Sequence, residues 1–174
     1  FTNFSQDHLD YHKSMSKYLN AKLTLFSKLL PKKSYVIADK SSKQYSILKN
    51  ISRNKQLRIL DIEKIFEEIK KIKISLVGSF QQKNLAMATQ VARICNLNEG
   101  KIKNALKKIK NVNGRLELIK KYPNNIRVFI DYAHTPDALN EAIRSLKNKY
   151  SDNISLVFGC GGERDFKKRP LMAK

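Results

Sequence analysis

The sequence predicts an α/β fold, and three features near the C-terminal end of the chain support this. Residues 126–130 (IRVFI) form an apolar, β-rich run, which indicates a buried strand. The segment 135–150 starts with an N-cap threonine and a proline, and its apolar residues recur at helical spacing. Residues 154–158 (ISLVF) form a second apolar run that ends at glycines. Together they predict one right-handed βαβ unit with parallel strands.

Two polar segments, 131–135 and 159–165, follow the predicted strands. The carboxyl ends of neighbouring parallel strands meet at one edge of a sheet, where open α/β folds bind ligands. We therefore expect one ligand site built from both segments. The structural alternatives are an Asx-turn at Asp131 that leads into the helix and an ordinary glycine turn at 159–165.

The rest of the chain is predicted to alternate between helices and strands. Ser14 is a suitable N-cap for a helix that runs to about Leu30, before Pro31. Asn84 is a suitable N-cap for a later helix over 85–96. The other predicted elements are strands at 34–39, 56–62 and 72–78 and helices at 43–51, 63–71 and 99–112.

Lys22 has an unusual position on the first of these helices. At about 100° per residue, it falls near the middle of the apolar face formed by Met15, Leu19, Leu23, Phe26, Leu29 and Leu30. A lysine there must extend its amine to solvent, lose its proton or be chemically modified. The helical pattern alone leaves these three possibilities open.

Composition restricts the classes of function. The formal net charge is +20, but lysine outnumbers arginine 27 to 8 and is spread over nearly every segment. Base recognition relies on arginine, so a nucleic-acid function is the weaker alternative, although a basic surface favours anionic ligands such as nucleotides. No run reaches the roughly 20 apolar residues of a membrane span. Two scattered cysteines indicate no disulfide framework, so we expect a reducing cytoplasm.

Several motifs along the whole chain resemble those of the Mur ligases. They are TNFSQDHLDYH (2–12) followed by YLNAK (18–22), GSFQQKN (78–84), GRLE (114–117), DYAHTPDAL (131–139), GCGGERD (159–165) and KRPLM (168–172). The resemblance implies part of a P-loop-type central domain over residues 1–128 and the start of a Rossmann-like C-terminal domain over 129–174. Phosphate-loop (GTNGKT) and amino-acid-selecting (DNPR) motifs of that family are not in the sequence, so we expect an internal fragment.

The resemblance also implies roles for individual residues. Lys22 would be carbamylated and catalytic, and the carbamate would bind Mg²⁺ together with His8. Residues implied to bind ATP are Asn84, Arg115, Asp131, Tyr132 and His134. We assign no catalytic role to Asp7, Asp10 and His12, which we interpret as capping or loop-bonding residues. Lys168 would face either an anionic ligand or water.

The implied activity is ATP-dependent amide formation in peptidoglycan precursor synthesis. The substrates would be UDP-N-acetylmuramoyl-L-alanyl-D-glutamate and a diamino acid, either meso-diaminopimelate or L-lysine. A cytoplasmic monomer with no specific nucleic-acid partner and no membrane partner is expected. The family's turn has asparagine where this chain has Gln81, and its glycine loop has aspartate where this chain has Glu163. A stand-alone basic module that binds nucleotides or nucleic acid without catalysis is the alternative.

Overall fold

The computed structural model describes residues 1–150, 153–161 and 165–174. The helices there are α1 (Leu9–His12), α2 (Met15–Thr24), α3 (Tyr45–Asn54), α4 (Glu63–Lys70), α5 (Ser79–Ile94), α6 (Glu99–Lys108), α7 (Pro136–Lys149) and α8 (Lys168–Ala173). Strands are β1 (Tyr35–Ala38), β2 (Arg58–Asp61), β3 (Glu117–Lys121) and β4 (Arg127–Ile130). A π-helical turn, Leu25–Leu29, continues α2, and a 3₁₀ turn, Pro123–Asn125, separates β3 from β4.

Strands β1 and β2 form a parallel pair, with Val36 opposite Ile59. Helix α3 connects them, so β1, α3 and β2 form a βαβ unit. One core cluster covers the pair on the side of α2 and α3, and its buried members are Leu23, Phe26, Val36, Ala38, Leu48 and Leu57. The predicted α/β class is therefore confirmed, because helices cover a parallel strand pair.

A second core cluster lies between α4 and α5. Both helices present an apolar face, and the cluster consists of Ile62, Ile65, Ile69, Ala86 and Met87. Thr89 is also buried on α5, and its hydroxyl donates to the carbonyl of Leu85 in the preceding turn, at 2.8 Å. This packing fixes α5 against the rest of the N-terminal part of the chain.

A third cluster joins the segment before α5 to α7. Its buried members are Val77, Leu116 and Ala142, and Phe80 and Leu146 pack against them. Gly78 has a φ of +92°, and a Cβ at this position would lie 2.6 Å from the hydroxyl of Ser145 on α7. Both the backbone conformation and the close approach of α7 therefore require glycine at this turn.

The predicted helix starts at Ser14 and Thr135 are confirmed. The Ser14 hydroxyl accepts a hydrogen bond from the backbone N–H of Lys17, and the Thr135 hydroxyl accepts one from Ala138. Each hydroxyl satisfies a backbone donor that has no partner within its helix. Helix α5, in contrast, begins at Ser79. The prediction that Asn84 is an N-cap is therefore wrong, and Asn84 lies exposed within the helix.

The predicted strand at 126–130 is present as β4, but the prediction that it is buried is wrong. Strand β4 pairs antiparallel with β3, with a register shift between Leu118 and Lys120. Ile126, Val128 and Ile130 are 58%, 42% and 51% exposed. These three residues remain exposed because no element in the described part of the chain covers that face of the hairpin, whereas Phe129 is half-buried against Tyr150.

Two other predicted strands are absent from the described residues. Residues 154–158 form no strand, and Val157 is 98% exposed. Residues 73–77 have no regular structure, although Leu76 and Val77 are buried. A strand requires hydrogen bonds from a neighbouring strand, and neither segment has one here. The predicted parallel βαβ unit at 126–158 is therefore wrong. None of the described helices is long and apolar enough to cross a bilayer.

Candidate functional site

The carboxylate of Asp7 lies at the centre of a group of charged side chains. Its Oδ2 atom is 3.3 Å from His8 Nε2 and 3.2 Å from His134 Nε2. Its Oδ1 atom accepts a hydrogen bond from Lys168 Nζ at 3.4 Å. Lys168 is buried, with 8% of its side chain exposed, and a buried ammonium requires a compensating charge. Asp7 thus connects the N-terminal segment with the loop after β4 and with the first residue of α8.

The two predicted halves of the site therefore do approach each other, although no parallel sheet among the described residues brings them together. His134 belongs to the segment 131–135. Asp165 is the last residue of the segment 159–165, and Lys168 follows three residues later. Gln6 donates to Asp165 at 3.4 Å, next to the Asp7–Lys168 contact. Gly162, Glu163 and Arg164 lie outside the described residues, so the predicted glycine loop is described only in part.

Arg115, Tyr132 and His134 form a second, exposed group beside the first. The guanidinium of Arg115 lies 4.7 Å from the centre of the Tyr132 ring, which is a cation–π contact. The Tyr132 ring meets the His134 ring edge-on at 5.2 Å. His134 Nδ1 is 3.1 Å from the carbonyl oxygen of Tyr132. A cationic and aromatic surface of this kind suits a ligand that carries phosphates and a ring.

Asp131 uses both carboxylate oxygens to hold the backbone. Oδ1 accepts from the N–H of Ala133 at 2.8 Å, which is the Asx-turn geometry, and Oδ2 accepts from Leu116 at 2.7 Å. Each oxygen has a second lone pair. The carboxylate can therefore stabilise this loop and still accept a hydrogen bond from a ligand hydroxyl.

Lys22 is half-buried, and its amine points toward the N-terminal segment. Nζ donates to the carbonyl oxygen of Asn3 at 2.9 Å and lies 5.5 Å and 5.2 Å from the ring centres of Phe1 and Tyr18. The ring of His8 lies 5.8 Å from the same Tyr18 ring. The two residues expected to bind metal thus both lie within 6 Å of the Tyr18 ring.

Burial and charge shift the pKa values of this group. Burial lowers the pKa of Lys22, and the negative charge of Asp7 offsets only part of that effect. Burial alone would raise the pKa of Asp7, but the backbone N–H of His8 and the charge of Lys168 outweigh it, so this pKa is lowered. Burial raises the pKa of Tyr18, and Asp7 adds to the effect. The site therefore favours a carboxylate at Asp7 and moves Lys22 toward its neutral form.

Asn84 stands apart from these groups. It is exposed on α5, one residue after Lys83. Lys83 is paired with Asp39 at 2.6 Å, and the hydroxyl of Ser41 accepts a hydrogen bond from its amine. Gln81, also on α5, faces inward and is buried. Of the predicted site residues, His8, Lys22, Arg115, Asp131, Tyr132 and His134 are brought together, whereas Asn84 is not.

The residues around Lys22 fit a magnesium ion only if Lys22 is carbamylated. The described residues contain no group of three or more His, Cys, Asp and Glu side chains that could hold a metal ion. His8 offers a nitrogen and Asp7 a carboxylate, whereas an amine at Lys22 adds no oxygen. A carbamate on Lys22 would supply the oxygen donors that Mg²⁺ prefers.

Sequence reasoning missed the role of Asp7 at the site and its pairing with Lys168, which was expected to face an anionic ligand or water. Asp7 directly precedes His8, but an aspartate beside a histidine is common in loops, and its contact with Lys168 spans 161 positions in the chain. The only available signal was that both residues lie inside the recognised motifs. Their pairing depends on tertiary structure.

Comparisons with known proteins place the chain in a family. The chain matches the family model "Mur ligase middle domain" over residues 1–92 and the model "Mur ligase, glutamate ligase domain" over residues 114–174. A relative from Rickettsia bellii, named UDP-N-acetylmuramoyl-L-alanyl-D-glutamate--2,6-diaminopimelate ligase, is 37% identical, and the match covers 100% of this chain and 41% of the relative. A relative of the same name from Oceanobacillus iheyensis is 36% identical, with 100% and 40% covered.

Solved structures give the same result. The structure of a UDP-N-acetylmuramoyl-L-alanyl-D-glutamate--2,6-diaminopimelate ligase aligns with a TM-score of 0.62 and 26% identity, covering 99% of this chain and 40% of that one. MurF from Acinetobacter baumannii, at 15% identity and a TM-score of 0.68, shares the fold over 85% of this chain and 36% of its own. The chain spans about 40% of the length of the curated relatives it matches. Because the middle-domain model alone matches more than half of its residues, the chain belongs to the Mur ligase family.

Proposed function

We propose that these residues belong to an ATP-dependent, amide-forming ligase of peptidoglycan precursor synthesis. ATP would phosphorylate the D-glutamate carboxylate of UDP-N-acetylmuramoyl-L-alanyl-D-glutamate, giving an acyl phosphate and ADP. The amino group of a diamino acid would then attack the acyl carbon, form the amide and release phosphate. The observation that carries this proposal is 37% identity, over the full chain, to a relative named for that ligation.

The diamino acid proposed is 2,6-diaminopimelate. The relatives from Rickettsia bellii and Oceanobacillus iheyensis both carry it in their names. L-lysine is the alternative substrate, and the assay below distinguishes the two.

Five residues are proposed to bind ATP. Arg115 would contact the phosphates, because its guanidinium is exposed beside Tyr132 and a planar cation suits phosphate oxygens. Asp131 would accept from the ribose hydroxyls through its remaining lone pairs. Tyr132 and His134 would line the same surface. The exposed amide of Asn84 would approach the adenine from α5, which requires the ligand to extend from the Arg115 group to that helix.

Lys22 is proposed to be carbamylated and to hold Mg²⁺ together with His8. Only a neutral amine reacts with carbon dioxide. Burial lowers the pKa of Lys22, which increases the neutral fraction of its amine. The product is an anion placed where the apolar helix face would otherwise carry a cation. When bound, Mg²⁺ counters the negative charge of the phosphoryl group during transfer. Asp7 would orient His8 through the contact between its Oδ2 and Nε2.

We also propose that a domain boundary lies near residue 128 and that the protein is monomeric and cytoplasmic. The antiparallel hairpin of β3 and β4 crosses that boundary.

The test is a ligation assay on the full-length protein. We expect phosphate release that requires the UDP-linked dipeptide and is supported by meso-diaminopimelate much better than by L-lysine. The 174-residue chain on its own should hydrolyse no ATP, because its sequence contains no GTNGKT motif. If the full-length protein releases phosphate at the same rate with and without the UDP-linked dipeptide and the diamino acid, the proposed ligase is rejected.

A further inference from the structure

The peptide group between Arg115 and Leu116 is held from both sides. Its carbonyl oxygen accepts a hydrogen bond from Gln81 Nε2 at 3.1 Å, and its N–H donates to Asp131 Oδ2 at 2.7 Å. Gln81 lies on α5 and Asp131 directly follows β4. One peptide group is thus fixed by side chains from two distant parts of the chain.

The side-chain amide of Gln81 donates both of its hydrogens to backbone oxygens. The residue is 7% exposed, and the second hydrogen of its amide nitrogen goes to the carbonyl oxygen of Val77 at 2.9 Å. Both donors of the amide therefore bind backbone oxygens. A side chain held inward in this way does not reach a ligand on the surface, so Gln81 acts on the site through the backbone of Arg115.

Leu116 shows why the peptide has to be held. Its φ is +45°, a left-handed conformation that disfavours a side chain, and it is 1% exposed. Its side chain packs with Val77 and Ala142 in the third core cluster. Strained conformations of this kind persist where the surroundings over-determine them, and they concentrate at functional sites.

The side chain of Arg115 leaves the chain at this fixed peptide and lies against Tyr132. We propose that Gln81 is a positioning residue that, with Asp131, holds the Arg115–Leu116 peptide so that Arg115 presents its guanidinium to the phosphates of the nucleotide. The proposal rests on the proposed function, since it takes ATP as the ligand of Arg115. A Gln81 that only satisfied the core would stabilise the protein without affecting nucleotide affinity.

The test compares two substitutions of Gln81 with a matched control on α5, all in the full-length protein. Gln81→Met keeps the length of the side chain but removes both donors, and Gln81→Glu replaces them with acceptors that face two carbonyl oxygens. Thr89→Val is the control, because Thr89 is equally buried on α5 but its hydroxyl bonds only within its own helix. Two measurements are made: hydrogen exchange of the Leu116 amide, and KM and kcat for each substrate.

In both Gln81 variants we expect faster exchange of the Leu116 amide and a rise of about tenfold in the KM for ATP, on the order of one lost hydrogen bond. The KM for the UDP-linked dipeptide should stay within about twofold of the wild-type value, a much smaller change than the tenfold rise in the KM for ATP. Thr89→Val should lower the melting temperature without either effect. An unchanged KM for ATP in both Gln81 variants, or an equal rise in Thr89→Val, overturns the proposal.

Failure of the proposed function gives a different result. In that case the wild-type protein ligates nothing, and ATP binding is measured by calorimetry on the same variants. Weaker binding in the Gln81 variants alone then supports the positioning role. Equal binding in all variants, or no ATP binding by the wild type, overturns it.

Discussion

Asp7 and His134 are 127 positions apart in the chain, yet Asp7 Oδ2 lies 3.2 Å from His134 Nε2. The same carboxylate also meets the buried ammonium of Lys168. Three segments that are separate in the sequence therefore meet at a single side chain. This relationship makes Asp7 the first residue to test.

We predict that Asp7→Asn loosens the contact between the N-terminal segment and the loop after β4. Asparagine keeps the shape but loses the charge that compensates Lys168, so we expect a loss of about 2 kcal/mol in the free energy of unfolding. Thermal and denaturant unfolding would measure it. Asp10→Asn is the control, because Asp10 is exposed on α1 in the same segment. Equal stability of the two variants would show that Asp7 does not hold these segments together.

A second prediction concerns Lys22 in the full-length protein. Lys22→Arg keeps a positive charge but cannot form a carbamate, because the guanidinium stays protonated. Lys22→Ala removes the proposed ligand and leaves a gap beside Tyr18. Both variants should lose ligation by at least about 100-fold, the order of a lost charge-stabilising group. Mass spectrometry of the wild type in the presence of bicarbonate should detect the added carboxyl group.

The matched control for Lys22 is Lys28→Ala, since Lys28 is exposed in the π-helical turn that continues α2. It should ligate normally. Addition of a small carboxylic acid to Lys22→Ala should restore part of the activity by replacing the missing oxygens. Normal ligation by Lys22→Arg, at unchanged Mg²⁺ demand, would show that the lysine is only a neighbour of the core.

The ion pair between Asp39 and Lys83 predicts a pH dependence of stability. Burial alone would raise the pKa of Asp39, but hydrogen bonds from Lys83 and Ser41 outweigh it, so this pKa is lowered on folding. A lowered pKa contributes stability above the unfolded value of about 4, and that stability is lost as the pH falls through the folded value. The pair ties the end of β1 to α5, and we expect it to contribute about 1 kcal/mol at pH 7.

Asp39→Asn tests this dependence by comparison of melting temperatures between pH 7 and about pH 3, below the unfolded pKa. The variant should be less stable than the wild type at pH 7, and the difference should shrink in acid. Glu67→Gln serves as the control, because Glu67 makes an exposed pair with Lys70 on α4. If the difference in melting temperature between the wild type and Asp39→Asn is the same at all pH values, the lowered pKa of Asp39 is contradicted.

The fourth prediction concerns the net charge of +20. If the lysines are a dispersed surface feature, binding to DNA should be weak, independent of sequence and lost steeply as salt increases. Fluorescence anisotropy with two unrelated duplexes, between about 50 and 200 mM salt, would measure this. Sequence-selective binding that survives the higher salt would favour the nucleic-acid alternative.

Local features were predictable from the sequence because they depend on neighbouring residues. Ser14 and Thr135 cap their helices through backbone donors three positions away, at Lys17 and Ala138. Strands β1 and β2 were also predicted, since apolar β-rich runs flank the helix between them. The parallel pairing they form was expected instead at residues 126–158.

The strand predictions at 72–78 and 154–158 failed for a non-local reason. An apolar run becomes a strand only when another strand satisfies its backbone groups, and composition does not specify that partner. The start of α5 was misplaced because Asn84 has the residue type of an N-cap, whereas Gly78 makes the actual turn. A Cβ at Gly78 would lie 2.6 Å from the hydroxyl of Ser145 on α7, so the need for glycine at that turn is non-local.

By itself the sequence determined the family motifs, the placement of Lys22 on an apolar helix face, and the residue types at the candidate site. Tertiary structure alone decided which of those residues meet. Asp7 acquires its role from Lys168, and Gln81 acquires its role from the backbone of Arg115. The physical reason is that a buried charge or a strained peptide requires partners from whatever part of the chain folding brings beside it.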